Sequence, residues 1–151
     1  MTWENIQNEL HSKLEKLNKS EYSNIEDVNF QRGIYVFYEE DKPIYVGRSN
    51  RIGKRLKEHG NVNSSHFSAS FAFLLAKQIA KENNIEFKRE GKNKSRTEIQ
   101  NDSEFDFKNQ KQRVAKMKFK TIEIEDSNFQ AIFEIYVSMQ LNTFYNKFDN
   151  H

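Results

Sequence analysis

The sequence contains no cysteine, which excludes disulfide bonds and metal sites built on thiolates. It also has no apolar run near the ~18 residues that a membrane-spanning helix needs. The first five residues, Met-Thr-Trp-Glu-Asn, are acidic and amphipathic, unlike a secretory signal. Together these absences predict a soluble cytoplasmic protein without a membrane partner.

Proline is nearly absent: the only one, Pro43, falls at the start of a predicted strand, where its missing N–H group is tolerable. Hydrophobic residues make up 36% of the chain and charged residues 30%, so the composition is not that of a disordered protein. Thirteen Phe and six Tyr can supply much of a core. We therefore expect residues 1–151 to form one domain.

The positive charge is concentrated in the middle of the chain. Residues 32–60 carry seven basic and four acidic side chains, and residues 86–120 carry eleven basic and six acidic ones. A basic surface of this kind suits a phosphate backbone, because duplex binding depends on Lys and Arg replacing counterions. An ordinary solvated polar surface is the alternative interpretation.

Residues 33–47 read as two strands joined in a hairpin. Alternation places Tyr35 and Tyr45 on one class of strand position and the aliphatic residues on the other. If Tyr35 lies opposite Tyr45 across a loop of residues 38–42, then Val36 faces Ile44 and the aliphatic set shares one side. Two phenols are thus predicted to converge on one face. Core aromatic residues are the alternative interpretation of both tyrosines.

A basic helix of about residues 50–59 is predicted directly after this hairpin. Spacings of three, four and four residues place four side chains in one stripe: Arg48, Arg51, Arg55 and His59. An exposed cationic stripe is the ordinary interpretation, with His59 as a surface or helix-capping residue. Gly33 and Gly47 are interpreted as sites of close backbone packing.

These features together resemble the GIY-YIG nuclease family. The resemblance is carried by two tyrosine triplets and four later residues in the family's order: Gly33-Ile34-Tyr35, Tyr45-Val46-Gly47, Arg55, His59, Glu134 and Asn146. The similar segments cover roughly residues 32–59 and 117–148. Residues 1–31 would then be an N-terminal helical extension, and residues 60–116 an inserted helical and basic segment.

The remaining pattern predicts an α+β domain with a small, three-stranded, mainly antiparallel sheet flanked by helices. Apolar spacing and turn residues predict helices over 2–18, 67–80, 104–115 and 128–141, a third strand over 117–124, a mobile basic loop over 88–103, and an ordered or frayed tail after 147.

Glu134 lies on a narrow polar strip of the last, otherwise apolar helix, together with Gln130 and Ser138. A carboxylate there is costly to bury unless it is paired or holds a cation. A salt bridge to an arginine such as Arg55 is one interpretation. The family resemblance implies the other, in which Glu134 is the sole protein ligand of Mg²⁺ or Mn²⁺ and water fills the other positions.

The resemblance implies a metal-dependent endonuclease that hydrolyses DNA and leaves 5′-phosphate and 3′-hydroxyl ends. Tyr35 would be the general base, assisted by Tyr45 and by a pKa lowered by the neighbouring cations. Arg55, helped by Arg48, would hold the scissile phosphate. His59 would orient a phenol or the water. Asn146 follows as part of the site, in an architectural role.

DNA is the expected partner, with RNA and a homodimer left open. Arg48 and Arg51 are predicted to contact nucleic acid, as are the five basic residues of the 88–103 segment, Lys88, Arg89, Lys92, Lys94 and Arg96. Two other functions compete with the nuclease: a catalytically inactive nucleic-acid-binding protein of the same fold, and a purely structural interaction domain, which leaves the Glu134 strip unexplained.

Overall fold

The structure is a computed structural model that describes residues 1–147; the predicted tail at 148–151 lies outside the described residues. The elements follow in the order α1 (Trp3–Lys19), a 3₁₀ turn (Ile25–Asp27), β1 (Gly33–Glu39), β2 (Lys42–Ser49), α2 (Ile52–His59), α3 (Ser70–Glu82), β3 (Lys88–Arg89), β4 (Lys92–Asn93), α4 (Arg96–Gln100), α5 (Phe107–Ala115), β5 (Lys118–Glu123) and α6 (Ser127–Leu141). Over this range, no helix is both long and apolar enough for a membrane crossing.

Three strands form an antiparallel sheet in the order β2-β1-β5. β1 is the central strand and pairs with β2 along one edge and with β5 along the other. Its residues are buried almost throughout, which means that both faces of this strand are covered. The predicted α+β fold with a small antiparallel sheet is confirmed.

The predicted register of the hairpin is wrong by two residues. Tyr35 lies opposite Gly47, and Tyr45 lies opposite Phe37. The loop has only two residues, Glu40 and Asp41, whose φ angles of 52° and 61° are the positive values that a tight type I′ turn requires. A bulge next to Phe37 then shifts the pairing further. The total shift is even, so both tyrosines keep their predicted face.

The sheet packs its aliphatic face against two helices that are far apart in sequence. Ile34 and Val36 of β1 are completely buried in a core to which α1 contributes Leu17 and α6 contributes Phe129 and Phe133. This arrangement fixes α6 against the sheet. Side chains on the polar strip of α6 are thereby held at defined places beside β2.

The chain divides into two compact units. Unit 1 comprises residues 1–55 and 117–147 of the described chain, and unit 2 comprises residues 56–116. Unit 2 has an aromatic core of its own, in which the ring centroid of Phe73 lies 4.9 Å from that of Phe105 and 5.8 Å from that of Phe107. Helices α3 and α5 supply most of its packing.

The segment 88–103 is more ordered than the predicted mobile loop. Strands β3 and β4 form a short hairpin around Glu90 and Gly91, both with positive φ. Helix α4 follows, and its capping box joins Ser95 and Glu98 reciprocally. The loop prediction is therefore wrong for most of this segment.

The two ends of unit 2 lie next to each other. A Cβ atom added at Gly60, just after α2, would lie 2.9 Å from the Cα atom of Ala115 at the end of α5. Only glycine allows the two backbones to approach this closely. The chain thus enters unit 2 and leaves it again at almost the same place.

Candidate active site

A polar pocket lies where β2 ends in unit 1. Its volume is about 360 Å³. The residues that line it come from β1, β2, the following turn, α2 and α6: Tyr35, Tyr45, Gly47, Arg48, Ser49, Asn50, Arg55, Gln130 and Glu134. The fold thus brings together both predicted tyrosines, two of the predicted arginines and the predicted glutamate.

Tyr35 occupies the buried side of this pocket, where only 2% of its surface is exposed. Its ring lies against Gly47, the residue opposite it in the hairpin. A Cβ atom added at Gly47 would overlap the ring and the hydroxyl of Tyr35. The predicted steric role of Gly47 is confirmed. Gly33 has the same role, because a Cβ there would overlap the backbone oxygen of Ile122.

The hydroxyl of Tyr35 is harder to ionise than a free phenol. Burial raises its pKa well above the ordinary value, and the neighbouring Tyr45 adds to the increase. The charge of Arg55 and a hydrogen bond with Arg55 act in the opposite direction but are smaller effects. Arg55 thus lowers the pKa of Tyr35 as expected, but burial outweighs it, so the expected net decrease below the ordinary phenol value is not found.

Glu134 is paired with an arginine, although not with the one considered above. The Nε atom of Arg48 lies 2.8 Å from Oε2 of Glu134. The Glu134 side chain is 18% exposed, whereas that of Arg48 is about half exposed. Burial raises the pKa of Glu134, and the charge and hydrogen bond of Arg48 lower it. The carboxylate thus faces a cation in a partly desolvated pocket.

The predicted helical stripe of basic residues does not form as one row. α2 begins at Ile52, so Arg48 belongs to β2 and Arg51 lies in the turn between them. Ser49 accepts a hydrogen bond from the backbone N–H of Arg51 at 2.9 Å, which stabilises this turn. Arg55, one turn into the helix, lines the pocket, and Arg51 is exposed outside the lining.

His59 is the last residue of α2 and is completely buried. It is not among the side chains that line the pocket within the described residues. Its predicted role in orienting a phenol or the water stays a prediction.

Asn146 binds the free edge of β2 from beyond α6. Its Oδ1 atom accepts a hydrogen bond from the backbone N–H of Val46 at 2.7 Å, and its Nδ2 atom donates to the Val46 oxygen at 2.8 Å. The hydroxyl of Thr143 donates to the same Oδ1 at 2.9 Å. The amide therefore acts as a partner for the strand immediately before Gly47.

Three lining residues were not predicted as part of the site: Ser49, Asn50 and Gln130. Gln130 is 2% exposed, and its Nε2 atom donates to the backbone oxygen of Ile124 at 3.3 Å. A sequence signal for Gln130 existed, since it lies one helical turn before Glu134 on the same polar strip. Ser49 and Asn50 follow the second tyrosine triplet, but nothing in their residue types marks them.

The predicted basic run lies in unit 2, and much of its charge is already neutralised there. Salt bridges join Lys88 to Glu86 at 3.3 Å, Arg89 to Glu98 at 3.0 Å and Lys94 to Asp102 at 2.9 Å. The guanidinium of Arg96 lies 5.6 Å from the ring centroid of Phe73. Lys92 is exposed at the start of β4.

The pocket is compatible with a cation held by one carboxylate. Among residues 1–147 there is no group of three or more His, Asp or Glu that could form an all-protein metal site. Mg²⁺ does not require one, because it keeps several waters and is commonly bound through one or two carboxylates and substrate phosphates. Glu134 offers such a carboxylate beside a cavity with room for water.

Comparison with known proteins agrees with this architecture. The family model described as the GIY-YIG catalytic domain matches residues 31–148, which is most of the chain. Neither the curated proteins nor the solved structures give a match.

Proposed function

The chain belongs to the GIY-YIG family, whose members are endonucleases, and on this premise we propose that it is a metal-dependent endonuclease that hydrolyses DNA phosphodiester bonds. The observation that carries the proposal is the single pocket in which Tyr35, Arg55 and Glu134 meet. A phenol, a guanidinium and a carboxylate are the groups needed to hold a water, a phosphate and a cation, respectively.

Arg55 holds the scissile phosphate in this proposal. Negative charge increases on the phosphate as water attacks, and a guanidinium is always charged and can donate to two oxygens at once. The half-buried position of Arg55 in the pocket makes its charge more effective than it would be in bulk water. Arg48, which is more exposed, supplies further positive charge to the pocket lining.

Tyr35 and Tyr45 hold the attacking water. The proton of that water passes to the Oη atom of Tyr35 in its phenolate form, as the new P–O bond forms and the bond from phosphorus to the leaving 3′ oxygen breaks. Burial of Tyr35 works against this transfer because it raises the pKa of the phenol, so the ionised form is rare at neutral pH. Arg55 works in its favour, since its charge and hydrogen bond stabilise the phenolate.

Glu134 would hold the divalent cation, Mg²⁺ or Mn²⁺. Such an ion, when bound, supplies Lewis-acid stabilisation of the phosphate and of the leaving 3′ oxygen. Asn146 positions β2 through the backbone of Val46. It thereby fixes Gly47, the next residue, against which the ring of Tyr35 packs. No step of the proposal uses His59.

The competing function is a nucleic-acid-binding protein of the same fold without activity. Two observations favour it: the ion pair that already occupies Glu134, and the raised pKa of Tyr35. The deciding experiment incubates the purified protein with supercoiled plasmid in Mg²⁺, in Mn²⁺ and in EDTA. We expect cleavage that depends on the metal.

A variant completes the experiment. Glu134→Gln keeps the shape of the side chain and removes its charge, so it should abolish metal-dependent cleavage while plasmid binding persists. Glu123→Gln, an exposed position at the end of β5, is the matched control and should cleave normally. Full activity in Glu134→Gln would refute the role of Glu134. Binding without cleavage by the unmodified protein in either metal would favour the inactive alternative.

A further inference from the structure

An aromatic ring projects from unit 2 outside the site described above. Phe67 lies in the segment between α2 and α3, and 75% of its surface is exposed. Exposing a large aromatic ring to this extent is unfavourable in water. The surroundings of the ring indicate a reason for its position.

The buried imidazole ring of His66 packs against one face of Phe67. The imidazole of His66 is 4% exposed, and its centroid lies 4.0 Å from that of Phe67 at an interplanar angle of 38°. The His66 ring also lies 5.7 Å from Phe73 in the core of unit 2. The backbone N–H of His66 donates to Oε1 of Gln100 at 2.9 Å. The exposed ring is thus backed by the core.

A buried lysine fixes the start of the same segment. Lys111 of α5 is 6% exposed, and its Nζ atom donates to the backbone oxygens of Val62 at 2.6 Å and Ser64 at 2.9 Å. Burial lowers the pKa of Lys111 because it penalises the charged form. Burying an ammonium group costs free energy. Its two hydrogen bonds to backbone oxygens offset part of that cost and hold this segment in one conformation.

Unit 2 as a whole is positively charged. Unit 2 carries twelve basic and eight acidic side chains, a net charge of +4, although the whole chain has only +2. Two of the cations, Arg96 and Lys77, lie 5.6 Å and 6.0 Å from the centroid of Phe73, the ring that supports His66. Proteins bind single-stranded nucleic acid by stacking bases on aromatic side chains and by attracting the backbone with cations. Unit 2 offers both, an exposed ring at Phe67 and cations beside the second ring that His66 contacts.

We propose that Phe67 is a stacking platform for an unstacked nucleobase of single-stranded nucleic acid. The ring covers one face of the base, and Arg96 and Lys77 attract the adjoining phosphates. This proposal rests on the proposed function only in taking nucleic acid as the ligand. A fixed ring is suited to the role, since a preorganised contact loses little conformational entropy on binding.

Fluorescence anisotropy tests the proposal in EDTA, where cleavage does not interfere. The probe is a fluorescein-labelled oligothymidine of about 12 nucleotides, within the length that one binding module covers. Phe67→Ala should weaken binding by about 5- to 150-fold, the range for loss of one base–aromatic stack. Phe67→Trp should bind like the unmodified protein or more tightly. Phe67→Leu, apolar but not aromatic, should resemble Phe67→Ala.

A second probe of equal length with abasic sites carries the same phosphates without bases. Phe67→Ala should bind it like the unmodified protein, and the variant should lose no thermal stability. Met139→Ala, which truncates an equally exposed side chain of unit 1, is the matched control and should bind oligothymidine normally. A matching oligouridine probe distinguishes DNA from RNA as the source of the base.

The proposal is overturned if Phe67→Ala binds oligothymidine as tightly as the unmodified protein, or if both probes lose affinity equally. Normal binding by Phe67→Leu would also overturn it, because that result indicates a general apolar contact such as a protein partner would make. Failure of the proposed nuclease function would give a different result. Oligothymidine binding would still depend on Phe67, but the protein would not cleave plasmid in Mg²⁺ or Mn²⁺.

Discussion

The Nε atom of Arg48 on β2 lies 2.8 Å from the Oε2 atom of Glu134 on α6. The side chain that should hold the divalent cation therefore already has a cation beside it. A metal ion bound as proposed would compete with Arg48 for this carboxylate, unless the guanidinium moved onto a bound phosphate. In that case nucleic acid would release Glu134 for the metal, and the two ligands would favour each other's binding.

The first prediction follows from this competition. Arg48→Met removes the competing charge and should strengthen Mn²⁺ binding to the protein without DNA. Because Arg48 is half exposed, we expect a modest increase of about two- to fivefold, as for a solvent-screened ion pair. Isothermal titration calorimetry measures the affinity. Arg51→Met is the control, since Arg51 lies outside the pocket lining. Unchanged affinity in Arg48→Met would argue against competition.

The second prediction concerns the pH dependence of cleavage. Burial raises the pKa of Tyr35, so its base form is a minor species throughout the neutral and mildly alkaline range. If Tyr35 takes the proton of the water, the rate at saturating substrate should increase about tenfold per pH unit without reaching a plateau. Tyr35→Phe should be slower and lose this slope. A Tyr35→Phe variant that keeps both the rate and the slope would exclude Tyr35 as the base.

The same pKa has a consequence for folding that does not depend on catalysis. The pKa of Tyr35 is higher in the folded protein than in the unfolded chain. The contribution of Tyr35 to the free energy of unfolding is therefore fully present below the ordinary phenol pKa of about 10, and it is lost as the pH rises from there through the folded-state pKa. The midpoint of urea unfolding should therefore decrease above that pH. The decrease should be smaller in Tyr35→Phe.

The third prediction concerns the phosphate. Arg55→Lys keeps the charge and loses the two-pronged donor, so cleavage at saturating substrate should fall by a factor of ~10² or more. Single-turnover measurements on plasmid would separate this loss from weaker binding. Arg51→Lys is the matched substitution outside the pocket and should change little. If Arg55→Lys cleaves at the unmodified rate, only bulk charge matters at this position.

The fourth prediction concerns the basic run of unit 2, Lys88, Arg89, Lys92, Lys94 and Arg96. Each phosphate contact contributes ~0.9 to the slope of log K against log salt for duplex DNA. Replacing all five residues by Gln should weaken binding and flatten that slope. Replacing only the three salt-bridged residues, Lys88, Arg89 and Lys94, should flatten it less. An unchanged slope in the fivefold variant would show that the run does not contact the backbone.

The fifth prediction uses the packing of Gly47 against Tyr35. Gly47→Ala adds a methyl group in the space that the Tyr35 ring occupies. This overlap should destabilise the fold by about 1–3 kcal/mol, as overpacking does. Gly53→Ala is the matched control, because a Cβ there meets nothing within 4 Å and alanine favours the helix. Thermal and urea unfolding measure both. Equal stability of the two variants would contradict the tight contact.

Strand alternation was sufficient to predict that Tyr35 and Tyr45 share one face, and helical spacing was sufficient to place Glu134 on a polar strip, but neither identified Ser49, Asn50 or Gln130 as pocket residues. Tyr35 and Tyr45 stay on one face after a two-residue shift, and Glu134 is identified by its polar strip. The register itself depends on a bulge and on positive φ angles at Glu40 and Asp41, two residues that do not favour such angles as strongly as Asn or Gly does.

The partner of Glu134 and the state of Tyr35 could not be predicted in the same way. Arg48 and Arg55 have identical chemistry, and their distances to the carboxylate depend on where β2 ends and α2 begins. The pKa of Tyr35 depends on how completely the site excludes water, which is a property of packing. By contrast, helix α4 had a readable signal in Ser95 and Glu98, a capping pair three residues apart.

The adjacent ends of unit 2 at Gly60 and Ala115 have a consequence for how unit 1 assembles. Pairing β1 with β5 requires closing a long stretch of chain, and the entropy lost grows with the logarithm of its length. An insert that folds first acts as a connection of only a few residues. For a tenfold shorter effective loop the saving is about 2 kcal/mol. We therefore expect the candidate pocket of unit 1 to tolerate exchange or enlargement of the insert, provided that the two ends of the insert stay together.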